Sequence, residues 1–256
     1  MHGPWKPQSL RDLSHATLPS RIEGVAFWFA QLSDFREVLS SVADNTLGPD
    51  ELDRAQKMSA ESVRTAYLTS CLLLRRVLSA HLGVSPAEIK LVRGEHGKPA
   101  LEHSALPHRL YFNLSHGGDA WLCGVSSAHD IGVDVETRTH VPNAERLATR
   151  ILSSEERLAL SQLDSSDPAI RDTAFLRCWT RKEAVLKAVG SGFSWAARDI
   201  DVGIEFGYRR TSLPQKETSE AGVWSIGLPV SGFGAAAVIA PTTGTPPESI
   251  AAWLVP

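Results

Sequence analysis

Two short hydrophobic runs joined by a Gly-Gly-Asp turn constrain the fold of this chain most. The runs are LYFNLSH over 110–116 and AWLCGVSS over 120–127, and residues 117–119 separate them. Strand-like runs joined by so short a glycine turn predict a β-hairpin, whose strands are antiparallel. A third run, HDIGVDVE over 129–136, follows at once and predicts another strand. The middle of the chain is therefore expected to form an antiparallel sheet.

Segments with helical spacing of apolar residues lie on both sides of these strands. One covers 50–82, breaks near 58–61 and ends before Gly83; the other begins at Asp167-Pro168 and ends before Gly190. Further strand candidates are VAFWFAQL over 25–32, RDIDVGIEF over 198–206, GVWSIGL over 222–228 and GFGAAAVIA over 232–240. Helices that alternate with antiparallel strands in both halves predict an α+β fold.

Length and charge narrow the class of protein. At 256 residues the chain falls between one domain and two. Its net charge of −3 excludes a chain-wide basic surface for nucleic acid. No run approaches the roughly 20 apolar residues of a membrane span, and the start has no apolar signal-peptide core. Three widely separated cysteines fit a reducing compartment, so we expect a cytoplasmic protein without a membrane segment.

The strand GVDVE carries a pair of carboxylates. Period-two alternation sends Val133 and Val135 to one face of the sheet, and Asp134 and Glu136 together to the other. Adjacent carboxylates repel each other unless a cation neutralises them, and Mg²⁺ is usually held by one or two carboxylates with substrate phosphates. The pattern indicates either a metal site or a solvated acidic strand face.

The helix before Gly190 carries another acidic residue in an unusual place. Glu183 projects onto the apolar face, close to Trp179 and Leu186. A carboxylate there should be paired, metal-bound or raised in pKa, and Lys187 at the i,i+4 position offers an ordinary helix ion pair as the alternative. Lys182 is expected to point elsewhere, to the surface or to the rim of a phosphate site.

Polar and basic residues near the hairpin are candidates for binding an anion. Asn113 and Ser115 alternate with apolar residues, and His116 stands at the strand exit, where it could donate to an anion, stack on a base or simply be solvated. The Gly97-Lys98-Pro99 segment offers a lysine fixed by a stiff neighbour, although such loop lysines are common.

Taken in order, the segments GKP, FNLSH, GVDVE and WTRKEAVLK resemble the surfactin-type 4′-phosphopantetheinyl transferases, over about residues 25–240. The resemblance implies a pseudo-dimer of two similar α+β halves, with coenzyme A and Mg²⁺ (or Mn²⁺) in the cleft between them. It also implies transfer of phosphopantetheine to a serine of an acyl, peptidyl or aryl carrier protein, with release of adenosine 3′,5′-bisphosphate. We accordingly expect a monomer with an N-terminal extension at 1–21 and half-modules at 22–127 and 128–256.

The resemblance also implies roles for individual residues. Asp134, Glu136 and Glu183 resemble the metal ligands, with Asp134 also part of the catalytic set and Glu183 the base for the carrier serine. Lys187 resembles the lysine that neutralises the diphosphate. The residues implied to bind coenzyme A are Arg54, Lys98, Pro99, Asn113, Ser115, His116 and Lys187. Ala66 and Cys71 depart from the family pattern, since relatives often carry a basic residue there. A catalytically inactive coenzyme A or carrier-binding module and a different Mg²⁺-dependent phosphotransferase are the alternatives.

Overall fold

The structure is a computed structural model. It describes residues 25–35, 46–93, 99–102, 109–163, 166–190, 196–205, 207, 209–211, 221–228, 232–241 and 253–254, so the predicted extension at 1–21 lies outside them. The strands are β1 (Val25–Gln31), β2 (Leu91–Arg93), β3 (Pro99–Leu101), β4 (Tyr111–Gly117), β5 (Ala120–Ser126), β6 (Ile131–Glu136), β7 (Arg209–Thr211), β8 (Ala221–Leu228), β9 (Phe233–Pro241) and β10 (Trp253–Leu254). The helices are α1 (Pro49–Gln56), α2 (Glu61–Leu82), α3 (Ala144–Ile151), α4 (Ser154–Ser161) and α5 (Pro168–Val189).

The first sheet has the strand order β10-β1-β5-β4 and is covered by helix α2. Strand β5 pairs antiparallel with both β1 and β4, and β10 adds to β1 in parallel. Leu74, Val77 and Leu78 of α2 share a buried cluster with Trp28 and Trp121 of the sheet. Helix α2 ends before Gly83, whose φ of 68° is the left-handed conformation that glycine adopts without a side-chain clash.

The second sheet repeats this arrangement with the strand order β6-β9-β8-β7, all antiparallel, under helix α5. In both sheets the first strand of the half neighbours the last strand of its hairpin, so β6, β9 and β8 correspond to β1, β5 and β4. Both covering helices have 22 residues and end before a glycine with φ near 70°. The predicted α+β pseudo-dimer is confirmed.

The two halves meet through strands β4 and β6. Ile131 and Val133 of β6 pack into one buried cluster with Phe27 and Leu122 of the first sheet. The backbone N–H of Val133 donates to Asn113 Oδ1 across 2.8 Å, so a side chain joins the two strands where a backbone ladder is not formed. This junction brings the end of β4 beside β6 and α5.

Most predicted elements are confirmed: the hairpin, the break near 58–61, the strand before Glu136 and the helix ends. The strand predicted over 198–206 is wrong. There the N–H groups of Val202 and Gly203 donate to Glu156 Oε1, and the carbonyl of Val202 accepts from Arg181. Side chains thus satisfy backbone groups that a neighbouring strand would otherwise bond. Helices α3 and α4 were not predicted from the sequence. Among the described residues, none of the helices combines the length and the apolar composition of a membrane-spanning segment.

Candidate active site

A cavity of about 400 Å³ opens where β4, β6 and α5 meet, at the junction of the two halves. Its walls include all three carboxylates that the sequence singled out: Asp134 and Glu136 from alternate positions of β6, and Glu183 from α5. The side chains that matter for its chemistry are His116, Asp134, Glu136, Arg138, Trp179 and Glu183. The fold therefore brings residues from distant parts of the sequence, such as His116 and Glu183, into a single pocket.

Gly132 explains why α5 lies close enough to β6 to form this pocket. A Cβ atom at this position would stand 2.0 Å from the carbonyl oxygen of Ala184 and 2.3 Å from the backbone nitrogen of Ala188. Only glycine allows such an approach of helix backbone to strand backbone. Residues 184 and 188 directly follow Glu183 and Lys187, so this backbone contact controls how close both side chains lie to Asp134.

Asp134 is buried, and one of its carboxylate oxygens is bonded to side chains of two other elements. Its Oδ1 accepts from Lys187 Nζ at 2.7 Å and from the hydroxyl of Ser115 at 2.8 Å. The ammonium also donates to the Ser115 hydroxyl oxygen at 3.1 Å, which closes the group of three. A carboxylate buried this deeply requires a cation and hydrogen bonds, and here it has both.

Glu183 lies on α5, one helical turn before Lys187. Its side chain is half-buried and forms no hydrogen bond or ion pair with any of the described residues. The helix ion pair with Lys187 is thus not formed, since that lysine reaches across to Asp134 instead. Burial raises the pKa of the Glu183 carboxyl, the nearby charge of Asp134 raises it further, and Lys187 offsets part of the increase. A carboxylate with a raised pKa in a cavity is suited to take up a proton.

Glu136 is held by the chain that follows it. Its Oε1 accepts from the backbone N–H groups of Thr137 and Arg138, each at 2.9 Å. Its Oε2 accepts from Arg138 Nε at 2.9 Å and pairs with Arg138 Nη2 at 2.8 Å. Burial alone would raise the pKa of this carboxyl, but the hydrogen bonds and charge of Arg138, with the Thr137 N–H, outweigh it and lower the pKa.

The donor chemistry of the cavity fits a hard divalent cation. Carboxylate oxygens are the protein ligands that Mg²⁺ prefers, and Asp134, Glu136 and Glu183 all face the same pocket. Among the described residues, however, no three His, Cys, Asp or Glu side chains stand in a ready-made ligating group. Two of the carboxylates are instead turned toward basic groups of the chain itself, Lys187 and Arg138.

The structure separates the predicted coenzyme A contacts into two groups. His116 lines the cavity and is exposed, whereas Ser115 is buried and does not line it but bonds Asp134, which does. Asn113 is 5% exposed and occupied with the β4–β6 junction, so it does not line the pocket.

The remaining predicted contacts lie in the first half of the chain. Arg54 belongs to α1, where its guanidinium stands 5.4 Å from the centre of the Tyr67 ring, and it does not line the cavity. Pro99 begins β3, and Lys98 lies outside the described residues.

The surface position predicted for Lys182 is wrong. Its side chain is 0% exposed, and its Nζ lies 2.7 Å from Glu156 Oε2 and 2.9 Å from the carbonyl oxygen of Ala197. Glu156 in turn caps α4 through the N–H of Ser153. The sequence signal was present, because Ser153 and Glu156 have the spacing of a capping box. This buried pair fixes α5 to α4 just beside Glu183.

Known proteins resemble both halves of the chain. A family model described as the 4′-phosphopantetheinyl transferase superfamily matches residues 130–228. A second model, described as 4′-phosphopantetheinyl transferase, N-terminal, matches residues 28–128. Each matched range includes one covering helix and most of one sheet; strands β9 and β10 lie outside both ranges.

Individual relatives agree with the family models. The 4′-phosphopantetheinyl transferase HetI of Nostoc sp. is 30% identical over 221 residues, which cover 86% of this chain and 85% of that protein. The 4′-phosphopantetheinyl transferase AcpT of Salmonella typhimurium is 35% identical over 54% of this chain and 65% of its own. The 4′-phosphopantetheinyl transferase ffp of Bacillus subtilis is 29% identical over 68% and 80%. The resemblance found in the sequence motifs is confirmed, and the chain belongs to the 4′-phosphopantetheinyl transferase family.

Proposed function

We propose that the chain transfers phosphopantetheine from coenzyme A to a serine hydroxyl of an apo acyl, peptidyl or aryl carrier protein and releases adenosine 3′,5′-bisphosphate. One observation carries this proposal beyond family membership. The carboxylate of Glu183 lines the cavity between the two halves, and the ammonium of Lys187, one turn further along the same face of α5, bonds Asp134 in the wall of that cavity. The first group suits the attacking hydroxyl, and the second suits the departing phosphate.

In the proposed reaction each of these groups acts on a stated atom. Glu183 accepts the proton of the carrier serine, whose oxygen bonds to the phosphorus that bears pantetheine. The bond from that phosphorus to the bridging oxygen of the diphosphate breaks, and the electron pair leaves with the nucleotide. We assign to the charge of Lys187 the stabilisation of the leaving oxygen, a contribution that a partly buried ammonium makes efficiently.

We propose that Asp134, Glu136 and Glu183 hold Mg²⁺, or Mn²⁺ in its place. The bound cation supplies positive charge to the diphosphate of coenzyme A. Support comes from the donor chemistry and the shared cavity. We assign His116 to coenzyme A because it lines the same cavity, and Ser115 because it bonds Asp134 and Lys187 beside it. We retain Arg54, Lys98, Pro99 and Asn113 as candidates for the adenosine and 3′-phosphate.

The described thiols Cys71, Cys123 and Cys178 are all free, which supports action in a reducing cytoplasm. We propose that the chain works as a monomer, since its cavity lies between its own two halves.

The decisive experiment incubates the full chain with coenzyme A, Mg²⁺ and apo carriers from fatty-acid, polyketide and nonribosomal-peptide systems. Mass spectrometry should show one phosphopantetheine added to a carrier serine. Glu183→Gln should lower the rate by about 10²- to 10⁴-fold, the usual contribution of a general base. Glu155→Gln, at an exposed glutamate of α4, is the matched control and should retain the wild-type rate.

The same assay separates the competing readings. Coenzyme A binding by calorimetry without modification of any carrier would indicate an inactive binding module and refute the transferase proposal. A product other than adenosine 3′,5′-bisphosphate would indicate a different phosphotransferase. Full activity of Glu183→Gln would show that this carboxylate is not the base.

A further inference from the structure

Arg138 is a basic residue at the cavity for which the proposed reaction has no role. It follows β6 directly, lines the pocket, and its side chain is 74% exposed. Its guanidinium bonds Oε2 of Glu136 through both Nε and Nη2, and its backbone N–H bonds Oε1 of the same carboxylate. One residue thus contacts both oxygens of a proposed metal ligand.

This arrangement and metal ligation exclude each other at Glu136. A carboxylate that receives a forked guanidinium on one oxygen and two backbone N–H groups on the other has its acceptor sites largely used. To ligate a cation, Glu136 must lose the guanidinium, because a dication and an arginine at one carboxylate also repel each other. The long exposed side chain of Arg138 can swing into solvent with little disturbance of the fold.

We propose that Arg138 is a built-in competitor of the divalent metal: it holds Glu136 when no metal is bound, is displaced on binding, and so sets the metal affinity of the site. The inference rests on the proposed function in one respect, namely that Glu136 is a metal ligand. Lys187 occupies Asp134 in a comparable way, but it has a role in the proposed reaction, whereas Arg138 acts on the metal equilibrium alone.

The size of the effect follows from the exposure of the pair. Solvent-exposed ion pairs are weak, so their removal shifts a competing equilibrium only a few-fold. Arg138→Gln should therefore tighten metal binding by about two- to fivefold. Arg138→Lys keeps the charge but cannot form the fork, and it should fall between wild type and Arg138→Gln.

The test measures binding of Mn²⁺ alone to the full chain, from the loss of the electron paramagnetic resonance signal of the free aqua ion. Arg198→Gln is the matched control, because Arg198 is another exposed arginine beside an acidic residue and does not line the cavity. Its dissociation constant should equal that of wild type. In a Glu136→Gln background the gain from Arg138→Gln should vanish, since the contested carboxylate is gone.

Three outcomes would overturn the inference: equal Mn²⁺ affinities of Arg138→Gln and wild type, a gain that survives Glu136→Gln, and no Mn²⁺ binding by wild type at all. The first two leave the proposed function untouched. The third would also contradict the proposed metal site, whereas transfer itself is measured separately, by carrier modification with coenzyme A. Conversely, a wild-type chain that binds Mn²⁺ but modifies no carrier would refute the transferase proposal. The competition at Glu136 would still be decided by the Mn²⁺ affinities of the Arg138 variants.

Discussion

Replacing Gly132 with alanine should displace the helix that carries the reactive groups. The new Cβ would lie 2.0 Å from the Ala184 carbonyl oxygen, whereas ordinary contact begins at about 3.4 Å. The helix or the strand must therefore recede by about 1.4 Å, the difference between these distances. Because the clashing atoms are backbone, no side-chain rotation can relieve the contact.

Two consequences follow from that displacement. Overpacking of this kind costs about 1–3 kcal/mol of folding free energy, which lowers the melting temperature by about 2–4 °C for each kcal/mol in a domain of this size. Glu183 and Lys187 move with α5 relative to Asp134, and a misplacement of about 1 Å can lower the rate of transfer about 10²-fold.

The assays are thermal unfolding and carrier modification, both with Gly227→Ala as the control. Gly227 lies in β8 of the same sheet, and among the described residues a Cβ there would meet nothing closer than Arg181 Nη2 at 3.9 Å. The control should keep its activity and lose no stability. If Gly132→Ala matched Gly227→Ala in both assays, the close approach of α5 to β6 would not be what places the reactive groups.

Three further substitutions test the buried Lys182–Glu156 pair and the charged residues Glu183 and Lys187. Lys182→Met should lower the free energy of unfolding, measured in urea, by about 3–5 kcal/mol, because it leaves Glu156 charged and without its cation in the core. Adding Glu156→Gln should restore part of the lost stability. A Lys182→Met variant as stable as wild type would refute this. Glu183→Gln, melted in EDTA, should exceed wild type in stability at neutral pH. Burial and the charge of Asp134 raise the pKa of Glu183 in the folded state, so ionised Glu183 destabilises the wild-type fold at any pH above its unfolded-state pKa. The advantage of the variant should disappear at acidic pH, where Glu183 is protonated in both the folded and the unfolded state. Equal melting temperatures of variant and wild type at pH 7 would contradict this. Lys187→Met should reduce kcat for transfer by about 10²- to 10³-fold, and an unchanged kcat would remove this lysine from the mechanism.

The sequence predicts elements well where a local rule decides them. The hairpin turn, the break before Glu61 and the ends at Gly83 and Gly190 all depend on neighbouring residues, and all are confirmed. The segment 198–206 has the alternation of a strand, yet Glu156, Arg181 and Lys182 satisfy its backbone from a distance. Such long-range bonds leave no trace in the local pattern.

In the candidate site, too, the sequence identifies the residues that come together but not which of them form ion pairs. Motif and periodicity selected Asp134, Glu136, Glu183 and Lys187, and the structure brings all four together. Helical spacing favoured Glu183 as the partner of Lys187, whereas the structure pairs the lysine with Asp134. Spacing reports only neighbours on one helix, while the cross-element contact depends on how closely α5 approaches β6. That distance depends on the absence of a side chain at Gly132, so the glycine of GVDVE helps to place Lys187 beside Asp134.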